Sequence, residues 1–122
     1  MWTVKHSKIH GSGVFASKNI EKNTRIIEYI GEKILKSEGD RRSEKRIKKY
    51  LDSKITGSVY IFELNKKYDI DGSPRYNKAR YINHSCDPNC EVDIVDNQIW
   101  ISSIKNIKKN QEFTYDYGYE FD

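Results

Sequence analysis

Short apolar runs alternate with polar turns along almost the whole chain, and one segment departs from that rhythm. Trp2 to Lys5 reads as a short edge strand. Ile9-His10-Gly11-Ser12-Gly13-Val14-Phe15 is a polar, glycine-hinged turn that runs into an apolar strand. Glu21-Lys22-Asn23 turns the chain, and Thr24 to Ile30 follows as a β-rich strand. Gly31 interrupts before Glu32 to Leu35 resumes. A glycine inside a strand pattern marks a bulge or a close backbone approach. Ser58 to Leu64 is a strand with aromatics spaced two apart, Asn65-Lys66-Lys67 turns, and Tyr68 to Asp71 is another short strand. Glu91 to Val95 and Gln98 to Ser103 flank Asp96-Asn97, a good two-residue hairpin turn. Ile104 to Asn110 is a basic connector, and Gln111 to Tyr119 closes the chain as a strand.

The exception is Ser37 to Ser53. Ile47, Tyr50 and Leu51 fall at i, i+3 and i+4, a narrow apolar stripe on a basic helix that is expected to pack against the core. Gly57 ends this region. Many short strands, one helix and frequent turns define a mostly-β fold with a small helical insert. No internal repeat or low-complexity linker divides it.

The 122 residues suit one compact domain spanning 1–122, with the helical insert at 36–58. Charged residues at 33% and hydrophobic ones at 36% imply a modest core and a wet surface. No apolar run approaches the ~20 residues of a membrane span. The opening Met-Trp-Thr-Val-Lys-His has no apolar signal core, so an intracellular location is expected, cytoplasmic in a bacterium or virus and nuclear in a eukaryote. Net charge is +4, with basic clusters at Arg41 to Lys49 and Lys105 to Lys109. Such runs are usually solvated faces, and contact with nucleic acid is the minor reading.

The densest chemistry lies in Arg80-Tyr81-Ile82-Asn83-His84-Ser85-Cys86-Asp87-Pro88-Asn89-Cys90. It carries an amide, an imidazole, a hydroxyl and two thiols on a turn built by Asp-Pro-Asn. Loops of this kind are held by a rigid scaffold on either side. Two cysteines are too few for a disulfide framework in an intracellular chain. His84, Cys86 and Cys90 offer at most three ligands, whereas a structural zinc takes four. The glycines at 11 and 13 lack the third glycine and following helix of a dinucleotide fingerprint, which excludes that reading.

Nine tyrosines are the other signal, and Tyr115, Tyr117 and Tyr119 alternate near the end. On a strand they share one face. Packing alone would explain them. A narrow aromatic channel would also, and it would suit a lysine, with its ammonium head on a long apolar stem.

Taken together these stretches resemble the SET domain, the fold of most protein-lysine methyltransferases. The matching motifs are Ile9 to Phe15, Glu28-Tyr29-Ile30-Gly31-Glu32, Asp71 through Arg80 to Cys90, and Gln111 to Tyr117, with Tyr60-Ile61-Phe62 at the tyrosine-aromatic strand. The likeness covers about positions 4 to 119 and is nearest to the mixed-lineage-leukaemia type. It implies short twisted sheets around a C-terminal pseudoknot that sets Asn83-His84 beside Tyr117. It implies S-adenosylmethionine as methyl donor, met by the backbone of His10, Gly11, Ser12 and Gly13 and by Tyr60, Arg80, Asn83, His84 and Tyr117. It implies a lysine channel lined by Tyr29, Tyr115 and Tyr117, with Tyr117 the main catalytic tyrosine and Tyr115 controlling how many methyl groups are added. The implied substrate is a lysine-bearing protein or peptide, a histone tail by family default, with nucleic acid met only through nucleoprotein and no membrane. In many relatives a cysteine at the position of Cys90 joins three later ones on zinc. This sequence has no further cysteine, so no zinc is expected.

Three other readings compete. A SET-like module could bind lysine peptides or a partner without catalysis. A thiol enzyme using Cys86 and His84 lacks a third orienting group. A small basic β-barrel could bind RNA through exposed aromatics.

Overall fold

The computed structural model describes residues 1–53 and 60–118, without the side chains of 49–53. Four small sheets enclose one apolar core. The first pairs β1 (Trp2–His6) with β2 (Ser12–Ala16), antiparallel. The second has β3 (Arg25–Tyr29), β9 (Gln98–Ser103) and β8 (Cys90–Val95) in that order. The third has β4 (Glu32–Leu35), β6 (Tyr68–Asp71) and β5 (Ile61–Glu63). The fourth pairs β7 (Asn83–His84) with β10 (Thr114–Tyr115), and among the described residues this pair alone is parallel. The mostly-β expectation holds, with α1 (Lys36–Ser53) the one α-helix among the described residues.

The alternation along β9 shows why the core lies where it does. Ile99 and Ile101 point inward with Ile27 and Tyr29 of β3, while Trp100 faces outward between Glu28 and Asp93. Val14, Ile82, Ile107 and Phe113 complete the same cluster. Each side chain of this size, fully buried, contributes about 1.5–3 kcal/mol. The β8–β9 hairpin turns on Asp96 and Asn97, both at positive φ (51° and 60°), as a tight two-residue turn requires. Gly31 is a close approach, since a Cβ there would sit 2.0 Å from the Asp71 carbonyl oxygen.

Several expected boundaries shift. Among the described residues the closing strand, expected over Gln111–Tyr119, is Thr114–Tyr115, so strand alternation does not set Tyr115 and Tyr117 on one face. Tyr119 lies outside the described residues. The strand expected over Ser58–Leu64 is Ile61–Glu63, its first two positions again lying outside. Arg80 and Tyr81 belong to a 3-10 turn, Lys78–Tyr81, that sequence periodicity did not show.

The apolar stripe expected on the helix is tested among the described side chains at Ile47 alone. Ile47 is 48% exposed, and the side chains of Tyr50 and Leu51 are outside the description. Charge holds the described part of α1. Arg42 and Arg46, one turn apart, both reach Asp71 at the end of β6 (2.8 Å each), and Arg42 also bonds Glu32 (2.9 Å). Lys36 bonds Asp69 (2.9 Å), and Gly39 lets the helix come close to that carboxylate. Burial alone would push the Asp71 carboxyl up. The hydrogen bonds from Arg46, Arg42 and the Ser73 backbone outweigh it and hold the group well below the usual carboxylate range. A depressed carboxyl stabilises the fold above its unfolded pKa of about 4, and that stabilisation declines as pH falls below it. Asp71→Asn should therefore cost about 1–2 kcal/mol at neutral pH, less than a fully buried pair because both guanidinium groups are partly wet. Urea titrations should show the gap from wild type narrowing below about pH 4. Among the described residues no helix is long and apolar enough to cross a membrane.

Candidate active site

The parallel pairing of β7 with β10 brings the central loop against the chain's tail, Thr114 opposite Asn83 and Tyr115 opposite His84. Two residues per strand make too little ladder to hold this alone, and Asn89 adds to it. Its side chain accepts from the Thr114 N–H (2.9 Å) and donates to the Glu112 carbonyl (2.8 Å). The Ser85 N–H donates to the Tyr115 carbonyl (3.2 Å). Beyond β10, the Tyr117 N–H donates to His84 Nδ1 (3.0 Å). That nitrogen must be unprotonated to accept, so the proton of the neutral ring sits on Nε2, which faces the Cys86 sulfur at 3.3 Å.

Aromatic rings run in file through this junction. Tyr29 meets Phe62 edge-on with centroids 4.4 Å apart, and Phe62 lies 6.1 Å from Tyr115. Tyr115 is 4.7 Å from Tyr117, which is 5.3 Å from His84. The three expected tyrosines thus come together, though not by strand alternation. Tyr29 and Tyr115 are 2% and 4% exposed, and Tyr117 is only half-buried. The Tyr117 hydroxyl donates to the Ile82 carbonyl. The Tyr29 hydroxyl donates to the Tyr60 carbonyl (3.0 Å), and burial, with the nearby Tyr60 and Asp71, pushes the Tyr29 phenol well above its ordinary pKa. It stays neutral and remains a donor.

Tyr60 stands at φ 63°, a left-handed backbone that costs an aromatic residue about 1–2 kcal/mol. Its carbonyl takes both the Tyr29 hydroxyl and the Gly72 N–H (2.8 Å), which fixes that geometry. The Arg80 guanidinium stacks on Tyr60 (4.6 Å) and Tyr81 (5.3 Å), and its Nε is buried without a hydrogen-bond partner among the described residues.

On the other side of the loop lies the glycine-hinged turn. Gly11 adopts φ 48°, as its place in the hinge suggested. Asn83 Nδ2 lies within 3.2 Å of the His10 and Ser12 carbonyls and 2.8 Å from Glu112 Oε2. Its amide nitrogen is therefore committed to bracing the turn. Sequence reading gave no role to the partners in this brace, Ser7 and Glu112, the latter inside the Gln111–Tyr117 motif, nor to the fully buried Asn77, whose side chain ties Gly72 to Ile30. The signal for Asn77 was absent, because a lone Asn in a polar stretch looks like a turn residue. Cys90 is buried, its thiol pushed up to about 12 by loss of water, while Cys86 is exposed. Among the described residues no group of three or more His, Cys, Asp or Glu is placed to hold a metal ion.

The residues present suit an adenosyl sulfonium donor. A guanidinium with an unspent donor suits a carboxylate, exposed glycine backbone permits close approach, and a histidine with a fixed tautomer offers a defined edge.

The SET domain family matches residues 11–118. The chain is 41% identical over 118 residues to the H3 lysine-4-specific histone-lysine N-methyltransferase of Aspergillus oryzae, covering 93% of this chain and 9% of that protein. It is 39% identical over 120 residues to the human histone-lysine N-methyltransferase 2D, covering 95% of this chain and 2% of the relative. Among solved structures, the ctPRC2 complex in an autoinhibited conformation bound to S-adenosylmethionine aligns at TM-score 0.79 and 34% identity, over 96% of this chain and 15% of that one. The ctPRC2 structure in complex with H3K27me3 and H3K27M aligns at TM-score 0.78 and 32% identity, over 99% and 15%. The chain therefore spans under a tenth of the length of these curated relatives. On motif order, fold and identity across nearly its full length, this chain belongs to the SET-domain family.

Proposed function

We propose that the domain transfers a methyl group from S-adenosylmethionine to the side-chain nitrogen of a lysine in a histone or another basic protein, giving mainly the monomethyl product with some dimethyl. The observation that carries this reading is the junction itself. The ring file Tyr29–Phe62–Tyr115–Tyr117–His84 ends beside Asn83, which braces the glycine turn. On this reading the ring file is the lysine side, and Asn83 with the glycine turn is the donor side. Relatives named as histone-lysine methyltransferases and a neighbour bound to S-adenosylmethionine support the same assignment.

The donor supplies an already activated methyl group, so the protein's work is alignment and proton management. A lysine at neutral pH is an ammonium, and removing its proton costs about 4 kcal/mol from the reference pKa. Rings such as Tyr29, Phe62 and Tyr115 disfavour the charged form by excluding water. The Tyr117 hydroxyl and the Ile82 carbonyl place oxygen atoms at the same junction, suited to weak contacts with polarised C–H groups. His10, Gly11, Ser12, Gly13, Tyr60, Arg80, Asn83 and His84 form the donor side, joined by the Tyr117 ring beside His84.

Tyr115 takes the position that limits product size. Its hydroxyl fills space that a larger methylated amine would need. Tyr115→Phe is expected to raise the share of di- and trimethyl product, read by mass spectrometry of a lysine peptide. An unchanged product ladder would refute the role.

The second reading is a domain that binds lysine peptides or a partner without turnover. It is favoured by the near-complete covering of Tyr29 and Tyr115. Saturating S-adenosylmethionine separates the two. At about 100 times its Kd the donor should add about 2.7 kcal/mol of stability to the enzyme. A melting temperature that does not move would favour the binding module.

A further inference from the structure

Ser7, Asn83 and Glu112 are far apart in sequence and meet beneath the His10–Gly13 turn. The Ser7 hydroxyl donates to the Glu112 carboxylate (2.7 Å to Oε1), and Asn83 Nδ2 donates to its other oxygen (2.8 Å). Ser7 also fixes the turn from inside. Its N–H donates to the Gly11 carbonyl (2.7 Å), and its hydroxyl accepts from the Ile9 N–H (2.9 Å). Glu112 itself is pinned along its backbone. It bridges Phe15 of β2, and its carbonyl accepts from Asn89. Its carboxylate then fills the space a side chain would need at residue 13, where a Cβ would lie 2.4 Å from Oε2. That contact gives Gly13 a reason independent of any ligand.

We propose that Glu112 is a positioning residue for the methyl donor. It touches no reacting atom. It fixes Asn83 and Ser7 so that the turn presents one backbone shape. Asn83 Nδ2 has two protons and four acceptors within 3.2 Å, namely Ser7, His10, Ser12 and Glu112. The carboxylate is the nearest and the only charged one, so it sets which way the amide turns. Without it the amide and the turn share several arrangements. Donor binding must then select one, which weakens apparent affinity by the fraction of time the competent shape is held.

This inference rests on the reading that the turn meets S-adenosylmethionine. It predicts a split in kinetics. The clamp acts on binding and not on the bond being made, so its loss removes interactions equal in ground and transition states and raises KM without changing kcat. Glu112→Ala should raise the KM for S-adenosylmethionine about 10-fold and leave kcat within about 2-fold. Glu112→Gln keeps one acceptor for Asn83 and a group that Ser7 can bond, so it should restore most of the affinity. Calorimetry with S-adenosylhomocysteine, which cannot react, should show the same order. Ser7→Ala supplies a variant that leaves Glu112 in place, with an intermediate effect expected. A purely structural role would lower the melting temperature while the folded fraction bound the probe normally, and that result would overturn the assignment. A fall in kcat with KM unchanged would overturn it too. If wild type bound neither ligand, the proposed function would fail and this inference with it. Wild-type binding matched by Glu112→Ala would sink this inference alone.

Discussion

Tyr117→Phe is expected to lower turnover at least about 10-fold, the scale of losing one positioned polar group at a reacting centre. The change removes one oxygen and keeps the ring. The 4.7 Å contact with Tyr115 and the 5.3 Å contact with His84 should survive, as should the bond from the Tyr117 backbone N–H to His84 Nδ1. What disappears is the hydroxyl that bonds the Ile82 carbonyl. Folding and donor affinity should therefore stay near wild type while the rate drops. Single-turnover mass spectrometry with saturating donor isolates that effect. Near-normal turnover would remove Tyr117 from the catalytic role.

Gly72→Ala should be strongly destabilising and should also disturb the ring file. A Cβ at this position would sit 2.2 Å from the Tyr29 ring and 2.4 Å from its hydroxyl. Tyr29 cannot retreat easily, with Phe62 packed on it at 4.4 Å and its hydroxyl bonded to the Tyr60 carbonyl. The strand end cannot move easily either, because the neighbouring Asp71 is held by two arginines. Overpacking of this kind costs about 2–3 kcal/mol. The melting temperature should fall by about 10 °C. Activity should fall further than the melting temperature explains, since Tyr29 belongs to the ring file. Thermal denaturation and turnover on the same samples test both parts. A variant that melts with wild type would show that the close approach is not rigid.

The hydrophobic pattern located most strands, because alternation and turn residues agree locally. Glu32–Leu35, Tyr68–Asp71 and Gln98–Ser103 keep the expected bounds. It failed where long-range contacts decide. The end of the chain reads as one long strand, yet among the described residues it pairs as a strand only with two residues of a distant loop and otherwise through a single bridge from Glu112 to Phe15, so the described ladder stops at Tyr115. The stripe on α1 looked like a core face, and its one described side chain, Ile47, is exposed. The helix is held by Arg42 and Arg46 on Asp71, and nothing local in the sequence pairs positions 25 or more apart. The site shows the same division. Tyr29, Tyr115, Tyr117, Asn83 and His84 stood out by residue type and motif. Ser7 did not, and Glu112 lay inside the Gln111–Tyr117 motif without a role, because the contacts of a serine and a glutamate on polar stretches show only once the fold brings them together.

The most direct measurement is incubation of the protein with isotope-labelled S-adenosylmethionine and a panel of histones and basic peptides, followed by mass spectrometry that locates the label. Label on a lysine side-chain nitrogen, mostly as a single methyl group and sharply reduced in Tyr117→Phe, is the result expected. A protein that binds the donor yet leaves every lysine unlabelled, or labels equally well without the Tyr117 hydroxyl, would contradict the account.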